Sequence, residues 1–204
     1  DWSSDVCSSD LIFDVVEKDC GQYDTITEVM WVTGAALFIR LADYREVGGL
    51  DGHFFAHMEE IDLCWRLRSR GKKLVCIPQS VVYHVGGATL KKENPRKTFL
   101  NFRNNLLMLY KNLPDKELEH VLFIRGILDR VAALVFYLKK DRANARAVMQ
   151  ARREFEDIRY SFAASRIENM MKSTDEIIPE RTHFSIVMKY YLLGKKHFSQ
   201  LKLF

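Results

Sequence analysis

The helical repeat of apolar residues beyond position 95 is the strongest constraint on how this chain folds. Apolar side chains from Phe99 to Tyr110 recur at the spacing of one helix face, which predicts a helix over residues 97–112 that ends before Pro114. Further helical patterns follow over residues 115–138, 143–172 and 184–203. The second part of the chain is therefore predicted to be all helical.

The first 90 residues have a different pattern, which is typical of an α/β unit. The run from Val29 to Ile39 is apolar and partly β-branched, which predicts a buried strand. Short helices are predicted over residues 41–47 and 58–70, each followed by glycine, and short strands over residues 73–77 and 81–84.

Charge divides the chain at nearly the same place. Residues 1–84 hold 8 Lys or Arg against 14 Asp or Glu, and the remaining residues hold 23 against 13. An acidic first part and a basic second part predict two different roles. The most apolar segment, residues 121–138, includes Arg125, Asp129 and Arg130, so it is too polar for an unassisted membrane span.

The cysteines and the opening residues add two expectations. The four cysteines show no paired or metal-binding spacing, so we expect a reduced, cytoplasmic protein with neither a disulfide framework nor a structural zinc site. Residues 1–11 have neither helical nor strand periodicity, and we interpret them as a non-native leader. The natural chain would then extend upstream of Ile12.

Three acids, Glu59, Glu60 and Asp62, begin the helix predicted over residues 58–70. A purely structural explanation exists, because acids favour the N-terminal end of the helix dipole and Asp62 can pair with Arg66 one turn later. Adjacent Glu59 and Glu60 also repel each other, which predicts a raised pKa for one of them and a group able to accept a proton.

Four motifs surround this acidic cluster in a fixed order. They are Trp31–Arg40 (WVTGAALFIR), Val47–Asp51 (VGGLD), Phe54–Arg66 (FFAHMEEIDLCWR) and Val82–Gly87 (VYHVGG). Together they resemble the second half of the GT-A domain of family 2 glycosyltransferases, particularly the bacterial rhamnosyltransferase-like branch. The resemblance implies an α/β fold: the C-terminal half of a GT-A, Rossmann-like domain over residues 12–112, followed by a basic helical region over residues 113–204.

The resemblance also implies roles for the acids. The family carries a Glu-Asp pair at this helix start, with the second acid as general base, and that position is Glu60 here. The departure from Asp keeps the carboxylate and lengthens its arm by one methylene. Glu60 would deprotonate the acceptor hydroxyl, and Glu59 would orient the base or bind acceptor hydroxyls. Asp62 would support them through Arg66 or through the loop backbone.

A substrate pocket and a metal ligand are implied as well. The substrate-binding positions that the resemblance assigns to this chain are Trp31, Thr33, Gly34, Asp51 and Arg66. An indole face can stack on a pyranose and a glycine permits close approach, although Trp31 is equally explained as a core residue and Asp51 as a loop cap. His84 matches a ligand of Mg²⁺ or Mn²⁺ in metal-dependent relatives, while a lone histidine is commonly structural.

The implied activity is inverting transfer of a sugar from a nucleotide-diphosphate sugar to a glycan or lipid-linked acceptor in bacterial polysaccharide synthesis. No Asp-x-Asp motif lies between Ile12 and Trp31, so we expect the chain alone to be inactive. One alternative is a non-catalytic module, derived from a transferase, that docks on a membrane or partner. Another is a metal-dependent hydrolase that uses Glu59, Glu60 and His84, but it lacks a compact ligand motif.

The basic helical region has three explanations of its own. Its cations, such as Lys139, Lys140, Arg142 and Arg146, fit a solvated helix face. They also fit peripheral attachment to an anionic membrane at the inner face of the plasma membrane. Nucleic-acid binding is the third explanation, but no nucleic-acid-binding module is recognised, so no nucleic-acid partner is expected.

Overall fold

The computed structural model describes residues 20–83, 94–174, 178, 180–181 and 186–201. These residues are mostly helical and contain two very short strands. In chain order the elements are β1 (Thr27–Glu28), α1 (Leu41–Glu46), α2 (Glu59–Ser69), β2 (Val75–Cys76), α3 (Pro95–Asn112), α4 (Asp115–Leu138), α5 (Arg142–Ile158), α6 (Ala163–Lys172) and α7 (Ile186–Tyr191).

The predicted helices are confirmed, with two changes near the C-terminal end. Helices α1 to α4 begin and end within two residues of the predicted bounds. The long pattern over residues 143–172 forms two helices, α5 and α6, joined by a 3₁₀ turn over Arg159–Phe162. Within residues 186–201, the described part of the helix predicted over residues 184–203, the helical elements are α7 and a 3₁₀ turn over Phe198–Leu201.

Most of the predicted strands do not form among the described residues, which are mostly helical with a small sheet, so the GT-A, Rossmann-like fold over residues 12–112 stays a prediction. Strands β1 and β2 pair antiparallel, Thr27 with Cys76 and Glu28 with Val75, as the whole of a two-stranded sheet. The run over residues 29–39 instead contains a 3₁₀ turn, Gly34–Ala36, and leaves Phe38 88% exposed. Residues 81–83 are also exposed and form no strand.

The physical reason is the lack of a backbone partner for these runs within the described residues. An extended segment becomes a stable strand only when another edge satisfies its N–H and C=O groups. Beyond β1, the pairing with the segment before β2 adds one hydrogen bond among the described residues, from Val29 N–H to the Leu74 carbonyl at 3.0 Å. Thr33 then accepts a hydrogen bond from Ala35 N–H, which favours a local turn over extension.

Helix α3 is the central element of the helical part. Asn94 caps its N-terminus by accepting a hydrogen bond from Arg96 N–H at 2.9 Å, and Pro95 occupies the first helical position. The helix ends at Asn112 because Leu113, which precedes a proline, is extended. Around α3 pack helices α2, α4, α5 and α6.

One hydrophobic core joins the two halves of the chain. Leu106 and Leu107 of α3 are fully buried against Phe155 of α5 and, from the acidic part, against Phe54 and Trp65. Burial of large aromatic and aliphatic side chains is the main source of stability in a core of this kind. Residues from before and after position 112, the predicted domain boundary, therefore share this core, while the boundary itself stays a prediction.

Among the residues described, no helix is both long enough and apolar enough to cross a lipid bilayer.

Substitution of Phe155 tests whether the helical part and the acidic part unfold together. Phe155→Ala removes a fully buried ring and should lower the free energy of unfolding by about 3–5 kcal/mol. Because Trp65 lies in the same core, tryptophan fluorescence and far-UV circular dichroism should shift to the same lower urea midpoint. The control is Tyr160→Ala, an exposed site. A shift in dichroism alone would show that the two parts unfold independently.

Candidate active site

The segment that leads into helix α2 has an unusual backbone conformation. Three consecutive or nearly consecutive non-glycine residues, Phe55, His57 and Met58, have φ values of 63°, 69° and 73°. Side chains disfavour this left-handed region, so surrounding contacts must hold the segment in place. Glu59 and Glu60 follow directly as the first turn of α2. The position of these two acids therefore depends on the contacts that hold residues 51–58, which we call the acidic-helix loop.

Asn104 of α3 fixes most of this loop. Its side-chain nitrogen lies 2.8 Å from each of three carbonyl oxygens, those of Phe54, Ala56 and His57. Asn104 is fully buried, so these carbonyls would otherwise lose much of their hydrogen bonding. The amide thus satisfies the loop backbone where the left-handed residues prevent regular structure.

Arg103 extends the same attachment to helix α5. Its guanidinium donates one hydrogen bond to the His53 carbonyl at 3.0 Å and another to Glu154 at 2.8 Å. A planar guanidinium can hold two partners in a fixed relative orientation. The acidic-helix loop is therefore tied to α3 and, through Arg103, to α5.

Asp62 lies at the centre of a buried polar network. Its carboxylate is fully buried and accepts hydrogen bonds from Arg66 at 3.0 Å, Lys111 at 2.9 Å and Asn112 at 2.7 Å. The predicted pairing of Asp62 with Arg66 is thus confirmed, and two partners from α3 join it. Both carboxylate oxygens are satisfied, which a buried ionised group requires.

Arg66 also binds the glycine turn that follows α1. Its two terminal nitrogens donate to the carbonyls of Val47 and Gly49, the latter at 2.7 Å. Gly49 has φ 68°, and a Cβ there would lie 2.9 Å from the Tyr44 ring. Glycine is required at this position because a side chain would disrupt the turn that presents these carbonyls to Arg66.

Lys111 connects Asp62 to the start of the acidic-helix loop. Its ammonium donates to Asp51 at 2.8 Å and lies 5.0 Å from the centre of the Phe54 ring. Burial alone would raise the pKa of Asp51, but hydrogen bonds and charge from Lys111, together with hydrogen bonds from His53, lower it to about 2. Two carboxylates and two cations, those of Asp51, Asp62, Arg66 and Lys111, thereby form a charge-balanced group.

Glu59 and Glu60 stand outside this balanced group. One carboxylate oxygen of each, and Nε2 of His57, are buried without a hydrogen-bond partner among the described residues. Burial raises the pKa of Glu60; a hydrogen bond from its own backbone N–H lowers it, and the charge of Glu59 raises it further. The predicted raised pKa is confirmed for Glu60, although burial contributes more than the repulsion on which the prediction rested.

His57 adds a neutral polar group beside these acids. Burial lowers its pKa, and the charge of Lys97 adds to that effect, while the charge of Glu59 opposes it. A neutral imidazole can donate or accept a hydrogen bond. His57 Nε2 and the two carboxylate oxygens are therefore buried polar atoms that would gain a hydrogen bond from a hydroxylated ligand admitted beside them.

The segment containing Trp31, Thr33 and Gly34 lies along the same helix. A Cβ built on Gly34 would be 3.8 Å from the Glu60 Cβ, so this backbone approaches the acid closely. Cys64, one turn after Glu60, hydrogen-bonds the backbone of Val32, and burial raises the pKa of its thiol to about 11. Trp31 and Thr33 are half-buried. These residues are thus near Glu60, and their substrate-binding roles stay predictions.

Of the other predicted site residues, Asp51 and Arg66 have internal partners and His84 is not described. Asp51 and Arg66 are occupied by internal partners, Asp51 by Lys111 and Arg66 by Asp62 and the glycine turn. His84 lies outside the described residues, so the structure gives it no position. Within residues 20–83, 94–174 and the later described positions, no group of three or more His, Cys, Asp or Glu side chains could hold a metal ion.

Five residues of this site were given no role from the sequence: His57, Arg103, Asn104, Lys111 and Asn112. Asn104 and Lys111 are polar residues on the face of α3 that carries Leu107 and faces the core. Polar side chains at core-facing positions of an amphipathic helix need buried partners, and that signal could have identified them. Their partners, 47 to 60 residues distant in sequence, could not be named without the fold.

Sequence comparisons relate the chain to sugar-transferring enzymes. The pre-mycofactocin glycosyltransferase of Mycobacterium tuberculosis is 31% identical over 141 residues, covering 64% of this chain and 29% of that protein. The N-acetylglucosaminyl-diphospho-decaprenol L-rhamnosyltransferase of the same species is 38% identical over 56 residues, covering 28% of this chain and 18% of that protein. Rhamnosyltransferase WbbL of Escherichia coli is 32% identical over 69 residues, covering 34% of this chain and 25% of that protein.

These relatives are all named as glycosyltransferases, and this chain is similar to a part of each. The chain spans less than a third of the length of each of the three. No family model and no solved structure matches the chain. The class to which the similarity points is therefore the glycosyltransferases in general.

Removal of the Asn104 amide should loosen the acidic-helix loop. Asn104→Leu keeps a side chain of similar size but removes the amide donor from the carbonyls of Ala56 and His57, and from that of Phe54, which keeps only its bond from Ala56 N–H. We expect the free energy of unfolding to fall by about 2 kcal/mol or more, and amide exchange to increase in residues 54–60. Asn105→Leu is the matched control, because Asn105 makes only a 4.0 Å contact with the Met58 sulfur. Equal losses in the two variants would contradict a specific role for Asn104.

Neutralisation of Glu60 should stabilise the fold above the normal pKa of glutamate. Because the folded-state pKa of Glu60 is raised from 4.5, its favourable contribution is fully present below that value and is lost as pH rises through the folded-state pKa. Glu60→Gln mimics the protonated form, so it should raise the urea midpoint at about pH 7 and change it little at about pH 4. Glu119→Gln, at an exposed site on α4, serves as control. A loss of stability at neutral pH would show that the Glu60 carboxylate is favourably paired.

Proposed function

We propose that this chain carries the acceptor-activating site of an inverting glycosyltransferase of family 2, with Glu60 as the general base. The donor would be a nucleotide-diphosphate sugar, and the acceptor a glycan or lipid-linked hydroxyl compound in bacterial polysaccharide synthesis. The similarity to named glycosyltransferases supports the class of reaction. One relative is named for a decaprenol-linked substrate and two are named as rhamnosyltransferases, which supports this choice of acceptor and donor classes.

The observation that carries the proposal is the unpaired carboxylate oxygen of Glu60. A general base needs a lone pair that no cation or donor already occupies and a pKa near the working pH. Glu60 meets the first need, because its Oε2 lacks a partner among the described residues, and burial raises its pKa in the direction that the second need requires. Asp62, the other buried acid of α2, is saturated by Arg66, Lys111 and Asn112, so it suits a positioning role.

The reaction follows from this arrangement as a single displacement. An acceptor hydroxyl donates its hydrogen bond to Glu60 and transfers its proton there as its oxygen attacks the anomeric carbon. The bond from that carbon to the diphosphate oxygen breaks on the opposite face, and the nucleoside diphosphate leaves with the bonding electron pair. Glu59 and His57 would orient the acceptor through its other hydroxyls, with the Gly34 backbone close beside the Glu60 side chain.

A divalent metal, Mg²⁺ or Mn²⁺, is also part of the proposal. The described residues offer no set of ligands that fits such an ion. His84, its proposed ligand, lies outside those residues. When bound, such an ion would stabilise the charge that develops on the leaving nucleoside diphosphate.

Substitution of Glu60 in the full natural protein tests the proposal. Glu60→Gln should reduce turnover by roughly 100-fold or more, because the amide has no basic oxygen, and should leave affinity for the donor nearly unchanged. Glu60→Asp keeps a carboxylate and should retain part of the activity. Radiolabelled sugar transfer measures turnover, and calorimetric titration measures donor binding. The Glu119→Gln variant should transfer sugar at the normal rate. Normal turnover of Glu60→Gln would exclude Glu60 as the base.

A further inference from the structure

Helix α4 exposes a long apolar face. Helical spacing brings Phe123, Ile127, Val131, Leu134 and Leu138 to one side, and all five are 50% or more exposed. Ile124, Val135 and Tyr137 border them and are also exposed. These eight residues, the α4 apolar face, extend over about 22 Å of helix. Contiguous apolar surface of this size marks an interaction site.

The opposite side of α4 already has its partner. Leu118, Leu122 and Ala133 are buried, and the helix packs on α5 through this side. Asp129, also on this side, is held by Arg125 and Arg152 at 3.0 and 2.8 Å. Helix α4 therefore has two apolar surfaces. One packs against α5, and the other, the α4 apolar face, is exposed.

Positive charge surrounds the C-terminal end of this face. Lys139 and Lys140 follow Leu138 directly, and Arg142 and Arg146 begin α5 beside them; all four are exposed. Arg142 also lies 5.8 Å from the Tyr137 ring. The exposed acids of α4, Asp115 and Glu119, lie at the other end, before Phe123. An apolar face with cations at one end complements a surface that is apolar within and anionic at its edge.

A second copy of the chain fits this face less well. Arg130 lies at the midpoint of the face, and it folds back to donate to the Gly126 carbonyl at 2.7 Å. A two-fold axis through the centre of the face, with the helices parallel or antiparallel, would bring the two copies of Arg130 together. Like charges at the centre of an apolar interface are unfavourable. At a bilayer surface, the same side chain can instead extend its guanidinium toward water.

We propose that α4 lies in the plane of an anionic lipid surface, with its apolar face in the headgroup and acyl boundary and its basic end against lipid phosphates. The helix would lie on the membrane without crossing it, in keeping with its charged residues. This docking surface is separate from the acids of α2 and does not depend on the proposed reaction.

Vesicle co-sedimentation of the 204-residue chain tests the proposal. The chain should bind vesicles of phosphatidylcholine that contain phosphatidylglycerol, bind pure phosphatidylcholine less, and lose affinity as salt is added. The double variant Ile127→Glu/Leu134→Glu should reduce binding by roughly tenfold or more, because it places two charges in the apolar face. Lys139→Gln/Lys140→Gln should reduce binding to the anionic vesicles only.

A matched control separates lipid binding from general effects of surface charge. Ile167→Glu/Met171→Glu changes two exposed apolar residues of α6 and should bind vesicles as the parent chain does. Far-UV circular dichroism checks that each variant is folded. Absence of vesicle binding by the parent chain would overturn the proposal. So would self-association without lipid, seen by analytical ultracentrifugation and abolished by the Ile127→Glu/Leu134→Glu variant, because the face would then bind a second copy.

Discussion

The buried carboxylate of Asp62 is the constraint on which the described structure depends. Burial of an isolated ionised carboxylate would cost more than the net stability of an ordinary domain. Asp62 therefore needs charged and polar partners, and it obtains Arg66 from its own helix and Lys111 and Asn112 from α3. Because two neighbouring residues of α3 must reach one carboxylate, helices α2 and α3 can pack in only one register.

That register also determines the conformation of the acidic-helix loop. Asn104 precedes Lys111 by seven residues, or two helical turns, so both lie on the face of α3 that meets α2. When Lys111 reaches Asp62, Asn104 is brought under the carbonyls of Phe54, Ala56 and His57. The strained backbone before Glu59 is thus stabilised by the same helix that neutralises Asp62.

Local patterns in the sequence were sufficient for helices α1 to α4 and insufficient for the strands. Helical spacing, the cap at Asn94 and the stop at Pro114 are local features, so the bounds of α3 could be predicted closely. A strand depends on a partner elsewhere in the chain, and among the described residues the apolar run over residues 29–39 has such a backbone partner only at Val29, which donates to the Leu74 carbonyl. Within the site, the pairing of Asp62 with Arg66 follows from a four-residue separation. The hydrogen bonds that Lys111 and Asn104 donate could not be predicted from sequence separation, because they join segments about 50 residues apart.

The availability of Glu60 follows from where the nearby cations are bound. Arg66 and Lys111 are the cations that the buried network brings to α2, and Asp62 and Asp51 occupy both of them. A positive charge shared with Glu60 would lower its pKa and reduce its capacity to take a proton. The charge balance of the network therefore has a second effect: it leaves the next acid along the helix without a counter-ion. The four acids Asp51, Glu59, Glu60 and Asp62 outnumber the two cations, so two carboxylates must lack a counter-ion from this network, and the fold determines that they are those of Glu59 and Glu60.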